Sequence, residues 1–301
     1  WVLADICAAA RAVGRPARVH VKIDTGMSRA GSTLADLPAL ASALRMAADD
    51  GLVDVVGAWS HMSRADDPSE AGNASTASHV RIFEEGLAIL ADAGVTPRIR
   101  HLSATSGILW HREAHYDMVR AGIGLYGLSP DPEVATSEQL GLTPALELRA
   151  PLTSVKVIEE GTPASYGGTW VAPTRRWIGL VPLGYGDGIL RAASNQARVV
   201  VHSASGPFNA PLIGRVCMDQ FMVDLGPAEG SPGTPTARSG QAPAIPGDIA
   251  TLFGSGIGGE ALADDWAQAA GTINYEIVTH LGAHIPRIYR DGADATFGSN
   301  S

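Results

Sequence analysis

The spacing of apolar residues changes once along the chain, near residue 144, and this change limits the folds that the sequence can adopt. Upstream, short β-branched runs such as RVHVKID and DVVGAWSH alternate with stretches whose apolar residues recur at helical spacing. Downstream, runs such as LTSVKVI and ARVVVHS alternate apolar with polar residues and are separated by Gly and Pro. The first pattern predicts a βα fold and the second predicts an all-β domain.

The 301 residues are enough for two domains of ordinary size. We place a βα domain at 1–141 and a β domain at 142–301. The first domain contains four strand-like runs, which are RVHVKID, DVVGAWSH, RIRHLSAT and DMVRAGIGLYGL. In the second domain, residues 226–247 are rich in Pro, Gly and Ser without periodicity, which predicts a flexible surface insertion.

Composition excludes several kinds of partner. The chain has 22 basic and 31 acidic residues and a formal net charge of −9, with no cluster of Lys or Arg, so we expect no nucleic-acid partner. Cys7 and Cys217 are too few for a disulfide framework or a cysteine-based zinc site, which favours a reducing cytoplasm. No apolar run approaches the ~18–20 residues of a membrane helix, so we expect no membrane partner.

Polar or small residues accompany each predicted strand of the βα domain. Arg29 follows the first run, His61 ends the second, Thr105 and Ser106 follow the third, and Gly122 lies in the fourth. Parallel-sheet folds build their sites at the carboxyl ends of the strands. We therefore expect these residues to line one site.

Eight motifs follow one another along nearly the whole chain: VHVKIDTGMSRAG, WSHMSRAD, RHLSATSG, MVRAGIGLYGLSP, ASYGGTW, PLGYGDG, GRVCMDQFMVDL and INYEI. In these motifs the chain resembles the alanine racemase family, fold-type III enzymes that use pyridoxal 5'-phosphate. The resemblance implies the C-terminal half of a (β/α)8 barrel followed by a β-strand-rich domain. It also implies a homodimer with shared active sites, which interconverts L-alanine and D-alanine by a two-base mechanism and so supplies D-alanine for the cell wall.

The resemblance assigns the catalytic roles to Tyr166, His61 and Arg120. Tyr166 matches the tyrosine that acts on one face of the substrate α-carbon and comes from the partner subunit. A free phenol has a pKa near ~10, so His61 and Arg120 are expected to assist it. Arg120 matches the arginine that donates to the pyridine nitrogen, and a guanidinium keeps its proton, so that nitrogen stays unprotonated.

The cofactor phosphate and the substrate carboxylate are assigned in the same way. The positions that match phosphate-binding residues are Thr105, Gly122, Ile123 and Tyr275. The family commonly shows Asn-Ser where this chain has Ala104-Thr105, so both Thr105 and Ser106 remain candidates for the phosphate hydroxyl. The residues matching the substrate carboxylate site are Arg29, Asp219 and the backbone around Met218, with Met218 from the partner subunit, and those matching the entrance are Tyr185 and Arg287.

Lysine is the residue type that departs most from the family pattern. Lys22 matches a position that is often carbamylated, where the anion would hold Arg29 against the cofactor and substrate. The other lysine, Lys156, lies in the β domain, and neither matches the Schiff-base lysine of the family motif KANAYGHG. We therefore expect a chain that lacks the N-terminal part of a racemase and is inactive when isolated.

Two alternatives to racemisation remain open. A non-catalytic relative could bind pyridoxal phosphate or an amino acid without turnover, which the missing lysine favours and the retained Tyr166, His61 and Arg120 disfavour. A metal-dependent barrel hydrolase could use histidines, although these lack tight ligand spacing and a matching carboxylate pair. The histidines in question are His61, His101, His111 and His115.

Overall fold

The computed structural model describes residues 1–228 and 242–290, so most of the predicted insertion, residues 229–241, lies outside the described residues. Two compact units make up the chain, Trp1–Thr143 and Pro144–Ser301. None of the helices in the described part of the chain has the length and apolar content needed to span a bilayer.

The first unit is built on a three-stranded parallel sheet. Its strands, which lie side by side in chain order, are Ala17–Lys22 (β1), Val53–Trp59 (β2) and Ile99–His101 (β3). Its helices are Val2–Val13 (α1), Leu37–Asp49 (α2), Glu70–Asp92 (α3) and Thr105–Trp110 (α4). α1 ends at Gly14 with a left-handed φ of 73°, and α3 begins at Ser69, whose hydroxyl accepts the N–H of Gly72 at 3.1 Å. The predicted βα pattern is confirmed.

Helix α3 packs closely against the end of β1. Ile23, Leu37 and Phe83 have no exposed surface. Gly86 allows the close approach, because a Cβ at this position would lie 2.7 Å from Cδ1 of Ile23. Since Ile23 directly follows β1, this packing fixes the strand end from which the loop with Arg29 departs.

The prediction of a fourth strand, DMVRAGIGLYGL, is wrong. Residues 117–120 run beside β3, with Asp117 N donating to Arg100 O at 3.1 Å and Arg120 N donating to Ser103 O at 3.0 Å, but these described residues form no strand. The Asp117 carboxylate accepts the N–H of Arg100 at 2.8 Å and so occupies a donor that a regular ladder would use. A 3-10 helix follows at Ile123–Tyr126. The half-barrel therefore has three strands in its described residues.

The second unit is mainly antiparallel β structure, as predicted. Its strands are Leu148–Pro151 (β4), Ser154–Ile158 (β5), Pro163–Ala164 (β6), Trp170–Val171 (β7), Arg176–Val181 (β8), Arg198–Ser203 (β9), Gly206–Ile213 (β10), Phe221–Pro227 (β11) and Ile249–Phe253 (β12). A seven-stranded sheet has the order β4-β12-β9-β10-β11-β8-β5, and β6 pairs with β7. Helices α5 (Ala263–Ala270) and α6 (Asn274–Thr279) follow, and Trp266 of α5 donates from Nε1 to Leu252 O at 2.6 Å, which ties the helix to β12.

Candidate active site

Arg120 is the centre of the polar cluster in the first unit. Its Nη1 donates to Nδ1 of His101 at 3.0 Å and to the His101 carbonyl at 3.1 Å. Its Nη2 donates to the carbonyls of Ser60 (2.8 Å) and Leu102 (3.0 Å) and to Nδ1 of His61 (3.1 Å). These acceptors lie where β2 and β3 end, and each is uncharged. The guanidinium is thus held without a carboxylate partner among the described residues.

The two histidines beside Arg120 are held neutral. Because arginine can only donate, Nδ1 of His61 and Nδ1 of His101 both accept, and the proton of each ring lies on Nε2. Burial and the nearby charge of Arg120 lower the pKa of His61 below its ordinary 6.5 and that of His101 to about 4. Both rings therefore carry a fixed N–H donor near neutral pH.

His20 extends this arrangement across the sheet, a role that sequence reasoning missed. Nε2 of His101 on β3 donates to Nδ1 of His20 on β1 at 2.8 Å. Between them, on β2, is Gly57, where a Cβ would lie 2.4 Å from Nδ1 of His20. Only glycine lets the imidazole lie across the central strand, so Gly57 is the sequence signal for this contact.

Lys22 ends β1 and lies against Trp59 of β2. Its Nζ is 4.3 Å from the centroid of a Trp59 ring, and the guanidinium carbon of Arg120 is 5.0 Å from a Trp59 centroid. Burial, followed by the charges of Arg29 and Arg120, lowers the pKa of Lys22 below its ordinary 10.5, against an opposing effect of Asp24. Lys22 is thus half-buried near the charges of Arg29 and Arg120, whereas a lysine on a strand usually faces solvent.

The loop after β1 presents Arg29. Oδ1 of Asp24 accepts the N–H groups of Gly26 and Ser28, both at 3.0 Å. Asp24 N donates to Ser32 O at 2.8 Å, so the loop returns to the strand end from which it left. Ser28 has a left-handed φ of 58°, a conformation that these hydrogen bonds maintain. Arg29 is exposed on this closed loop.

A buried hydrogen-bonded chain that starts at His79 supports the same loop, and sequence reasoning also missed it. The N–H of Ser63 points to Nε2 of His79 at 3.3 Å, so Nδ1 of His79 carries the proton and donates to Oγ1 of Thr25 at 2.7 Å. The Thr25 hydroxyl lies 2.8 Å from Oγ of Ser60, which donates to Ile23 O at 2.6 Å. Burial lowers the pKa of His79, consistent with a neutral ring. This series of hydrogen bonds links α3 to the ends of β1 and β2.

Thr105 holds the glycine-rich segment after Arg120. Its Oγ1 accepts the N–H of Gly122 at 3.0 Å and that of Gly124 at 3.4 Å, which leaves its own proton to donate. The Gly122 N–H, predicted to bind phosphate, is thus directed to Thr105, whereas the Ile123 N–H has no acceptor among the described residues. Ser106 is the next residue of α4 and is half-buried.

In the second unit the segments around Tyr185 and Met218 lie together. Tyr185 N donates to Cys217 O at 3.0 Å, and Gly186 N donates to Met218 O at 2.7 Å. A Cβ on Gly184 would lie 2.3 Å from both carbonyl oxygens, so glycine is required for this approach. Tyr185 and Met218 are exposed, and Asp219 follows directly. Three of the residues predicted to contact the substrate or line the entrance are therefore neighbours in space.

Asp187, which sequence reasoning did not select, joins this cluster to the end of the described chain. Its carboxylate accepts the N–H of Gly184 at 2.7 Å and lies 2.7 Å from Nε2 of His284. The Gly282 N–H donates to Asp187 O at 2.9 Å, and Nη1 of Arg287 donates to Gly282 O at 2.9 Å. The structure thus brings Arg287 to the same cluster.

Tyr275 and Tyr166 complete the predicted residues of the second unit. Tyr275 lies on α6, and a Cβ on Gly188 would be 2.2 Å from the carbonyl of His280, the C-cap of that helix. Tyr166 begins a short 3-10 turn and is 71% exposed, and its neighbour Ser165 lies 3.5 Å from Sγ of Cys217. Both tyrosines therefore belong to elements that contact the Tyr185 and Met218 segments.

The histidines considered for a metal site are dispersed into other contacts. Nε2 of His111 lies 3.0 Å from Ala65 O, and Nε2 of His115 lies 3.0 Å from Ile108 O. Within residues 1–228 and 242–290, no group of three His, Cys, Asp or Glu side chains could hold a metal ion. The geometry gives no support to the hydrolase alternative.

Comparison with known proteins identifies the family of the chain. The family model for the alanine racemase N-terminal domain matches residues 1–130, and that for the C-terminal domain matches residues 145–289. The alanine racemase of Salinispora arenicola is 44% identical over 95% of this chain and 71% of its own length. The alanine racemase of Streptomyces coelicolor is 43% identical over 96% of this chain and 69% of its own length.

Solved structures show the same fold. The crystal structure of the alanine racemase of Streptomyces lavendulae superposes with a TM-score of 0.87 at 41% identity, covering 97% of this chain and 71% of that one. The Bacillus anthracis alanine racemase with bound L-Ala-P superposes with a TM-score of 0.77 at 29% identity, covering 95% of this chain and 68% of that one. The chain belongs to the alanine racemase family.

The neutral histidines predict how stability depends on pH. The folded pKa of His101, about 4, lies below its ordinary 6.5, so the unfolded chain binds more protons between these values. His101 therefore contributes stability that is present above pH 6.5 and lost as the pH falls towards 4, amounting to about 3 kcal/mol. We expect urea denaturation to show this loss in the wild type and a shallower loss in His101→Gln. The control is exposed His280→Gln, which should follow the wild type, and an unchanged slope in His101→Gln would contradict the prediction.

Proposed function

We propose that this chain interconverts L-alanine and D-alanine with pyridoxal phosphate. The observation that carries the proposal is the state of Arg120. Both of its terminal nitrogens donate to protein acceptors, whereas its Nε–H has no acceptor among the described residues. One rigidly held, permanently charged donor is therefore left for a neutral ring nitrogen.

The remaining donors of the first unit fit the cofactor. The hydroxyl proton of Thr105 and the N–H of Ile123 are both suited to donate to a phosphate. The short glycine-rich segment that donates to Thr105 Oγ1 separates these two donors from the Arg120 side chain. Pyridoxal phosphate, when bound, supplies an electron sink for negative charge at the α-carbon of alanine. Arg120 would donate to its ring nitrogen without transferring a proton.

Tyr166 and His61 would handle the α-proton on one face of the substrate. His61 is neutral with its proton on Nε2, so it can donate to a phenolate oxygen and make Tyr166 a stronger acid and a usable base near neutral pH. In the proposed homodimer the phenol comes from the partner subunit's Tyr166. The cytoplasmic location inferred from composition stays a prediction.

The substrate carboxylate would be bound by Arg29 and by the backbone N–H of the partner subunit's Met218. Arg29 is presented on the closed loop after β1. The Met218 carbonyl already accepts from Gly186, whereas its N–H has no acceptor among the described residues. Asp219 is adjacent, and Tyr185 and Arg287 would line the approach.

The experiment for this function follows exchange of the α-hydrogen. The purified chain with pyridoxal phosphate is incubated with L-alanine or D-alanine in deuterium oxide, and deuteration is measured by proton NMR. Because a two-base reaction uses one base on each face, Tyr166→Phe should reduce exchange of one enantiomer by about 100-fold or more and affect the other far less. Exposed Tyr289→Phe is the matched control and should exchange like the wild type.

The outcomes distinguish the alternatives. Equal loss of exchange for both enantiomers in Tyr166→Phe would contradict the assignment of one face to this residue. Binding of pyridoxal phosphate without exchange of either enantiomer by the wild type would favour the non-catalytic relative. Racemisation measured in the same samples tests whether the residues of this chain are sufficient for turnover.

We further propose that Lys22 is carbamylated. A neutral amine adds to carbon dioxide through its nitrogen lone pair and releases a proton, so a lowered pKa favours the reaction. The anion formed would pair with the guanidinium of Arg29, which otherwise contributes to an accumulation of positive charge with Lys22 and Arg120. Carbamylation would thus hold Arg29 in place.

Labelling tests this modification directly. The chain equilibrated with 13C-bicarbonate should show one carbamate signal by 13C NMR, and acidification should remove it because protonation of the amine removes the nucleophile. The chain has only two lysines, so Lys156→Arg is the matched control and should keep the signal, whereas Lys22→Arg should lose it. A signal that persists in Lys22→Arg would contradict the proposal.

A further inference from the structure

The backbone of Ser165, directly before Tyr166, has an unusual conformation. Its φ is 61° and its ψ is −175°, a region that is essentially restricted to glycine. An L-residue held there is strained, and strain of this kind persists only where the surrounding structure compensates for it. The conformation alone does not explain a serine, because glycine would adopt it without strain.

What serine provides and glycine lacks is a hydroxyl group. Oγ of Ser165 donates to Arg215 O at 2.6 Å and lies 3.5 Å from Sγ of Cys217. Cys217 directly precedes Met218, whose N–H is the proposed donor to the substrate carboxylate. The hydroxyl therefore connects the Tyr166 turn to the segment that leads into Met218.

A neighbouring turn supports the same segment. Oδ1 of Asn195, itself at a left-handed φ of 62°, accepts the N–H of Gly214 at 2.6 Å, and its Nδ2 donates to Oγ1 of Thr169 at 3.1 Å. Oγ of Ser194 accepts the N–H of Val216 at 3.0 Å. The turn at 194–195 thus contacts both the segment after Tyr166 and the segment before Met218.

Close contacts leave this arrangement little freedom. A Cβ on Gly214 would lie 2.7 Å from Cβ of Ser165. A Cβ on Gly167 would lie 2.8 Å from Nη1 of Arg215, so the guanidinium lies directly against the turn that follows Tyr166. Larger residues at these two glycines would push the segments apart.

We propose that Ser165 is a positioning residue for Tyr166. Its hydroxyl holds a strained backbone that fixes the Tyr166 phenol relative to the Met218 N–H, so that the base and the carboxylate-binding group keep one geometry. The inference rests on the proposed roles of Tyr166 and Met218. It adds a residue that contacts no substrate and acts through the tyrosine beside it.

Paired substitutions separate strain from anchoring. Ser165→Gly removes both the strain and the hydroxyl, whereas Ser165→Ala removes only the hydroxyl. Glycine normally destabilises relative to alanine, but at this φ the order should reverse, and Ser165→Gly should melt at a higher temperature than Ser165→Ala. The control pair is Ser205→Gly and Ser205→Ala at an exposed turn residue without a positive φ, where glycine should give no such gain.

The state of Tyr166 is then measured without relying on turnover. In chain labelled with 13C at tyrosine, the Tyr166 signal is assigned by its loss in Tyr166→Phe. Both Ser165 variants should shift and broaden this signal, and both Ser205 variants should leave it unchanged. With alanine and pyridoxal phosphate, the Ser165 variants should slow the Tyr166-dependent α-hydrogen exchange on the order of 10- to 100-fold, with little change in the alanine concentration for half-maximal exchange.

The outcomes separate this inference from the proposed function. A wild-type Tyr166 signal in both Ser165 variants would overturn the positioning role, as would a melting temperature of Ser165→Ala equal to or above that of Ser165→Gly. Altered signals in the Ser165 variants, combined with normal exchange in Tyr166→Phe, would support positioning and refute the catalytic role of Tyr166. Because Ser165→Gly relieves the strain, it provides a folded variant even where Ser165→Ala does not fold.

Discussion

The hydrogen bonds of the Arg120 guanidinium are the constraint on which the polar cluster of the first unit depends. A buried or half-buried cation is normally paired with an anion, but here the charge is distributed over carbonyl oxygens at the ends of two strands and over two imidazoles. These acceptors hold the guanidinium in one orientation without neutralising it. Burial lowers the pKa of His61 and His101, and the charge of Arg120 beside a ring nitrogen lowers it further, so both rings are neutral.

Several other features of the first unit follow from that constraint. Gly57 has no side chain, so the ring of His20 can lie across the central strand and accept a hydrogen bond from Nε2 of His101. The charge of Arg120 also contributes to the lowered pKa of Lys22, which favours the proposed carbamylation. In the second unit the comparable device is conformational, since a strained Ser165 and a left-handed Asn195 hold the segments around Tyr166. The polar cluster of the first unit is thus organised by charge, and the Tyr166 turn of the second unit by backbone strain.

Local patterns in the sequence were enough to predict the elements of the fold. The alternation of β-branched runs with helical spacing identified β1, β2, β3 and the helices between them, because these elements bury one face each. The fourth strand was wrong because Asp117 and Thr105 redirect backbone N–H groups that a ladder would have used, and residue spacing does not record such side-chain contacts. The family motifs identified candidate site residues, but they could not assign hydrogen-bond direction. The contacts of His79 with Thr25 and of His20 with His101 span 54 and 81 residues of sequence, so only the folded chain reveals them.

The account is tested most directly by the protonation state of the cofactor ring. With 15N at the ring nitrogen of pyridoxal phosphate bound to the chain, the 15N chemical shift at neutral pH should be that of an unprotonated pyridine, because Arg120 donates a hydrogen bond and keeps its proton. In Arg120→Glu, a carboxyl group that can give up its proton should move the shift towards that of a pyridinium. A protonated ring nitrogen in the wild-type chain, or the same shift in both proteins, would contradict the central role assigned to Arg120.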